Sequence, residues 1–98
     1  MATFISLVNF TQQGIRDLKD SPARAAKFKS MAEKVRVTVK EVYWTMGVHD
    51  AVLILEAPDD ESVTAAMLGL GSLGNVRTQT LRGFSSAEMN EIISKVPI

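Results

Sequence analysis

Residues Thr3 to Phe10 are rich in β-branched and aromatic side chains and are apolar at both parities, with Phe4, Val8 and Phe10 on one side and Ile5 and Leu7 on the other. That pattern predicts a strand buried on two faces. Thr11 and Gly14 end it, and Ile15 to Leu18 offers only a short helical turn. Ser21-Pro22 then predicts a helix from Pro22 to about Arg36, with the Ser21 hydroxyl as its cap and a proline where a missing N–H costs nothing. Its apolar stripe is Ala25, Phe28, Met31, Ala32 and Val35, with Lys27 and Lys34 along one edge and Lys29 and Arg36 along the other.

Val39 to Met46 places Val42, Trp44 and Met46 on one face of a second strand, and Gly47 marks a tight turn. From His49 to Ala57, Ala51, Leu53 and Leu55 share one face and Val52 and Ile54 the other, so this strand also lacks a polar side. Asp59 is the expected cap of a second helix, with Asp60 and Glu61 complementing the positive end of its dipole. Val63, Ala66, Met67, Leu70 and Leu73 form its stripe, and Gly71 and Gly74 end it. Asn75 to Phe84 alternates weakly and carries Arg77 and Arg82, as an edge strand would. Ser85 and Glu88 fit a capping box for a last helix striped with Met89, Ile92, Ile93 and Val96.

The order β-α-β-β-α-β-α, read as one domain over residues 1–98, predicts an α+β fold. It is a ferredoxin-like βαββαβ sandwich, an antiparallel sheet with two helices on one face, plus a C-terminal helix. In that topology the first and third strands are central, and they are the two without a polar face. Helices on one side leave the other as an apolar patch larger than monomers usually carry. The expected cover is a second copy, two sheets closing into a dimeric α+β barrel, so a homodimer is expected. The last helix folding over its own sheet is the competing cover, since its stripe must also be buried.

Composition narrows the function classes. Apolar residues at 46% exclude a disordered chain. Eleven basic and eleven acidic side chains give zero net charge, which argues against general nucleic-acid binding. The balance is uneven along the chain: residues 16–40 hold eight basic and three acidic side chains, and residues 41–61 hold six acids and no Lys or Arg. Zero cysteines exclude disulfides, thiolate zinc sites and cysteine nucleophiles. No run approaches the roughly 18 apolar residues of a membrane span, and the amino end lacks a signal peptide's basic stretch, so a cytoplasmic location without membrane contact is expected.

Four blocks, taken together, carry a family resemblance: Gly14-Ile15-Arg16 through Asp20-Ser21-Pro22, Tyr43-Trp44-Thr45-Met46-Gly47, Glu56-Ala57-Pro58-Asp59-Asp60-Glu61, and Leu70-Gly71-Ser72-Leu73-Gly74-Asn75-Val76-Arg77-Thr78. In order and spacing the chain resembles the GYD family of small bacterial proteins. That family is similar in turn to the dimeric α+β barrel group of cofactor-independent monooxygenases, muconolactone isomerase-like enzymes, dye peroxidase-type haem proteins and ligand-sensing domains. The resemblance implies the fold and the dimer but no particular activity. Two positions depart from the family pattern. The naming motif reads Gly47-Val48-His49-Asp50, with His49 where tyrosine is expected, and Arg36-Val37 stands where glycines often end the helix.

His49, the one histidine, is the candidate catalytic base, against a structural role at a hairpin end. Trp44 and Tyr43 are candidate ligand-binding residues, against core or interface packing. Arg77 and Arg82, of opposite parity, are candidates to hold an anion or carbonyl, against simple edge protection. One histidine without a carboxylate cluster gives no metal site, and no cofactor motif stands out: the glycine-containing stretch Leu70 to Asn75, with Gly71 and Gly74, ends a helix rather than begins one. Three functions fit: a small-molecule-binding homodimer, a cofactor-independent monooxygenase or isomerase using His49 with Arg77 or Arg82, and a structural assembly module. A polar pocket enclosing His49 would favour the enzyme.

Overall fold

Alternation and turn residues determine the elements, and the computed structural model describes them over residues 1–97. They are β1 (Ala2–Phe10), α1 (Gln12–Arg16), a 3₁₀ turn over Leu18–Asp20, α2 (Ser21–Glu33), β2 (Thr38–Trp44), β3 (Ala51–Ala57), α3 (Asp60–Ser72), β4 (Val76–Gly83) and α4 (Ser86–Ile93). The strands form one antiparallel sheet in the order β2-β3-β1-β4, the ferredoxin-like arrangement expected.

The pleat divides the sheet into two unlike faces. On the inner face Phe4, Val8, Leu53 and Leu55 are buried with Phe28 and Ala32 of α2 and Val63, Ala66 and Met67 of α3. Ser6 is fully buried among them, and its hydroxyl is satisfied by Thr80 Oγ1 at 3.2 Å. The outer face carries Ile5, Leu7, Val52 and Ile54, all half-buried, with Tyr43 and Leu81 exposed at its sides. A bulge at Lys40 shifts the register between Val39 and Glu41. This extra residue lets Val39, Val42 and Trp44 all face inward, paired with Leu55, Leu53 and Ala51.

The caps follow the sequence in two helices and depart from it in one. Asp59 accepts from the Ser62 amide at 2.8 Å at the start of α3. Ser85 and Glu88 form the reciprocal capping box of α4, with bonds of 3.1 and 3.0 Å. Ser21, expected as the cap of α2, is instead its first residue: the N-cap is Asp20, without a side-chain bond, and the Ser21 hydroxyl is turned toward Trp44. The helix also stops at Glu33, short of Arg36. Arg36 takes φ +68°, Val37 N–H bonds to Ala32 O, and Arg36 N–H bonds to Glu33 O. That is a Schellman ending made without glycine, and the two residues its outer bond joins, Val37 and Ala32, are both fully buried.

Other expectations shift in detail. The turn after β1 begins at Gln12, ahead of Ile15. Met46 lies outside β2 and is 96% exposed, and the stripe residues Val35 and Leu73 are exposed as well. The stripe of α4 is not buried: the helix buries none of its residues, so it does not seal the outer face of its own sheet.

Candidate functional site

Between the inner face and the two long helices the packing leaves a cavity of about 310 Å³. Small side chains open it, Ala25 on α2 and Ala51 on β3, while Phe28, Leu53 and Leu70 form apolar walls. Trp44 stands at its rim, half exposed, with its indole Nε1–H donating to Ser21 Oγ at 3.0 Å. The polar residues of the lining are Ser21, Arg24, Lys27 and Asn75.

His49 is not part of that lining. Its Nδ1 lies 3.0 Å from Asn9 Oδ1, and Asn9 Nδ2 donates to Val48 O at 2.7 Å, so Asn9 holds the hairpin end from the outer-face side of β1. Asp50 points elsewhere, accepting the Phe10 amide at 2.8 Å. The pair therefore makes no dyad, and Asp50 ties the hairpin to β1 rather than meeting a basic residue. Thr45 completes the turn with bonds to the His49 and Asp50 carbonyls, and Gly47 supplies φ +101°.

The candidate residues fall on different faces. Tyr43 and Arg77 are on the outer face, Arg77 directly across from Asn9, so the fold brings Arg77 and His49 to the same end of that face. The Tyr43 hydroxyl donates to Glu41 Oε2 at 2.8 Å, and this bond, with the carboxylate's charge, raises the phenol above its usual pKa. Trp44 and Arg82 are on the inner face but at opposite edge strands. Arg82 is already engaged: it pairs with Glu88 at 3.2 Å, lies over the Phe84 ring at 4.5 Å, and donates to the Gly83 carbonyl.

In the sequence pattern Arg24 has no distinguishing feature and Lys27 flanks the apolar stripe of α2, yet both line the cavity. The i, i+3 spacing of Ser21, Arg24 and Lys27 was the available signal, but only the docking of α2 shows that this line borders a cavity.

The sequence model of the GYD domain matches residues 4–93. The chain belongs to the GYD domain family. A relative from Thermus thermophilus, named a glutamine synthetase and cystathionine beta-lyase binding protein, is 36% identical over 92 residues, covering 91% of this chain and 95% of that protein. A solved protein from the same organism is 25% identical with a TM-score of 0.57, covering 88% of this chain and 96% of that one. The leucine response regulatory protein of Mycobacterium tuberculosis shares the fold at 14% identity and a TM-score of 0.66 over 87% of this chain. The chain spans about half of that regulator, 51% of its length. Within this GYD chain, the motif aspartate Asp50 has a structural task, and His49 in the tyrosine position rests on Asn9.

Proposed function

We propose that this GYD protein is a small homodimeric binding protein that takes a small organic molecule between its helices and its sheet. The observation that carries the reading is the cavity of about 310 Å³, apolar in its walls and bordered by Trp44, within the usual size range of small-molecule sites. The lining contains no histidine or carboxylate, hence no ordinary general base, which favours binding over catalysis. Catalysis by His49 would have to use the outer face, with Arg77 rather than Arg82 as its partner.

Pairing of two copies through the outer face is supported by the apolar row Ile5, Leu7, Val52 and Ile54, which α4 leaves unsealed. A second reading, binding to other proteins, is favoured by the name of the Thermus relative, a binding protein for two enzymes. The direct test is a structure of the purified protein with the cavity inspected for a bound metabolite, together with its mass in solution. An empty cavity that takes up no small-molecule probe, in a chain that captures a purified partner enzyme, would replace the first reading by the second.

A further inference from the structure

The cavity has a one-sided charge. None of its lining residues is acidic, while Arg24 and Lys27 stand one helical turn apart on α2. The ion pairs among the described residues are Lys40 with Glu56 and Arg82 with Glu88, so neither cavity cation is neutralised by a carboxylate. Arg24 is nevertheless held in place. Its Nη1 donates to Asp17 O at 2.8 Å and its Nη2 to Gly14 O at 3.3 Å, both carbonyls of the segment between β1 and α2. A guanidinium has five N–H donors, so those two bonds orient the group and leave others to meet a ligand. Arg24 is also half-buried, where its attraction for an anion is screened less than at an open surface.

Resting on the reading of this cavity as a binding site, we infer that its ligand is a small apolar carboxylate. The apolar body lies against Phe28, Leu53 and Trp44, and the carboxylate meets Arg24, with Lys27 beside it. At about 30 Å³ per water-sized group, a cavity of about 310 Å³ accommodates a molecule of about ten non-hydrogen atoms. Octanoate has that size. An alcohol or amine of the same chain would fill the walls equally, but the alcohol leaves the guanidinium without a charged partner and the amine is repelled by both cations.

The test uses the full chain and its single tryptophan. Octanoate, octanol and octylamine are titrated separately while Trp44 emission is followed. Octanoate is expected to bind at least about tenfold more tightly than octanol, the yield of one charge-assisted hydrogen bond, with octylamine weakest. Arg24→Gln should remove that advantage without changing the octanol affinity, and Arg24→Lys should restore part of it. Ala25→Leu, which fills the cavity, should weaken octanoate and octanol together, with circular dichroism confirming the fold. Equal binding of octanoate and octanol, or an unaltered octanoate affinity in Arg24→Gln, overturns the carboxylate assignment while leaving the cavity as a site. Failure of all three probes to perturb Trp44 overturns the cavity reading itself.

Discussion

The indole of Trp44 donates to the hydroxyl of Ser21 at 3.0 Å, joining the end of edge strand β2 to the first turn of α2 at the rim of the cavity. Ser21 is 8% exposed and Trp44 48%, so the bond anchors a half-open aromatic against a buried acceptor. Replacing Ser21 by Ala leaves Pro22 to start the helix but strands the indole N–H. The expected cost is about 1 kcal/mol, read from the urea midpoint, with a change in the Trp44 emission maximum. Unchanged emission would show that the bond does not hold the ring.

Gly14 is fixed by a close approach rather than by its φ. A Cβ there would stand 2.0 Å from the Asn75 carbonyl oxygen. That oxygen also accepts the Thr11 amide at 3.0 Å, and Gln13 reaches Leu73 O and Asn75 Oδ1, so the segment after β1 is stitched to the turn before β4. Gly14→Ala must push these turns apart. A loss of about 2 kcal/mol or more is expected in chemical denaturation.

The two faces of β3 predict opposite outcomes for neighbouring substitutions. Leu55 is fully buried beneath the helices, so Leu55→Asp should unfold the chain, at a cost of about 4 kcal/mol or more. Ile54 faces the outer side. Ile54→Asp should leave a folded monomer where the parent chain is a dimer. Light scattering separates the cases, and a parent chain already monomeric at micromolar concentration would remove the proposed pairing.

Arg36 adopts a left-handed conformation, φ +68°, which costs an L-residue about 1 kcal/mol. Arg36→Gly should therefore keep or raise the thermal midpoint, in contrast to glycine substitutions within helices, which lower it. A clear loss would mean that the Arg36 side chain contributes something its backbone conformation does not reveal.

Two helix caps make stability depend on acid pH. Hydrogen bonds with Ser62 hold the Asp59 carboxyl below its ordinary value near 3.8. The Ser85 amide, followed by Arg82, holds Glu88 below its ordinary value near 4.5. Folding thus favours the ionised forms: their contribution is present above the ordinary values and is lost as pH falls through the lower folded ones. Thermal midpoints measured down through this range should fall less steeply in Asp59→Asn and Glu88→Gln, which keep a polar group without its titration.

Much of the fold was readable because it rests on local rules. The alternation of Phe4 to Phe10 and of Ala51 to Ala57, the Asp59 cap and the Ser85–Glu88 box each depend on residues within one or two turns of one another. The site was less so. Tyr43, Trp44, His49, Arg77 and Arg82 were each placed on a strand or turn, yet their grouping depends on the register across β4, β1 and β3, and on the bulge at Lys40. Ser21 shows the limit most clearly: a serine before a proline is good capping chemistry, but the Trp44 indole, arriving from strand β2, donates to its hydroxyl instead.

Order and type of the elements, the positions of most caps and the presence of two apolar faces on the central strands were determined by the sequence alone, because period and turn chemistry are local. Tertiary structure decided which face the helices cover, that α4 leaves the other one unsealed, and that Ala25, Ala51 and Trp44 line one cavity together with Arg24. Those outcomes depend on distances between residues far apart in the chain, set by how side chains of unequal volume pack.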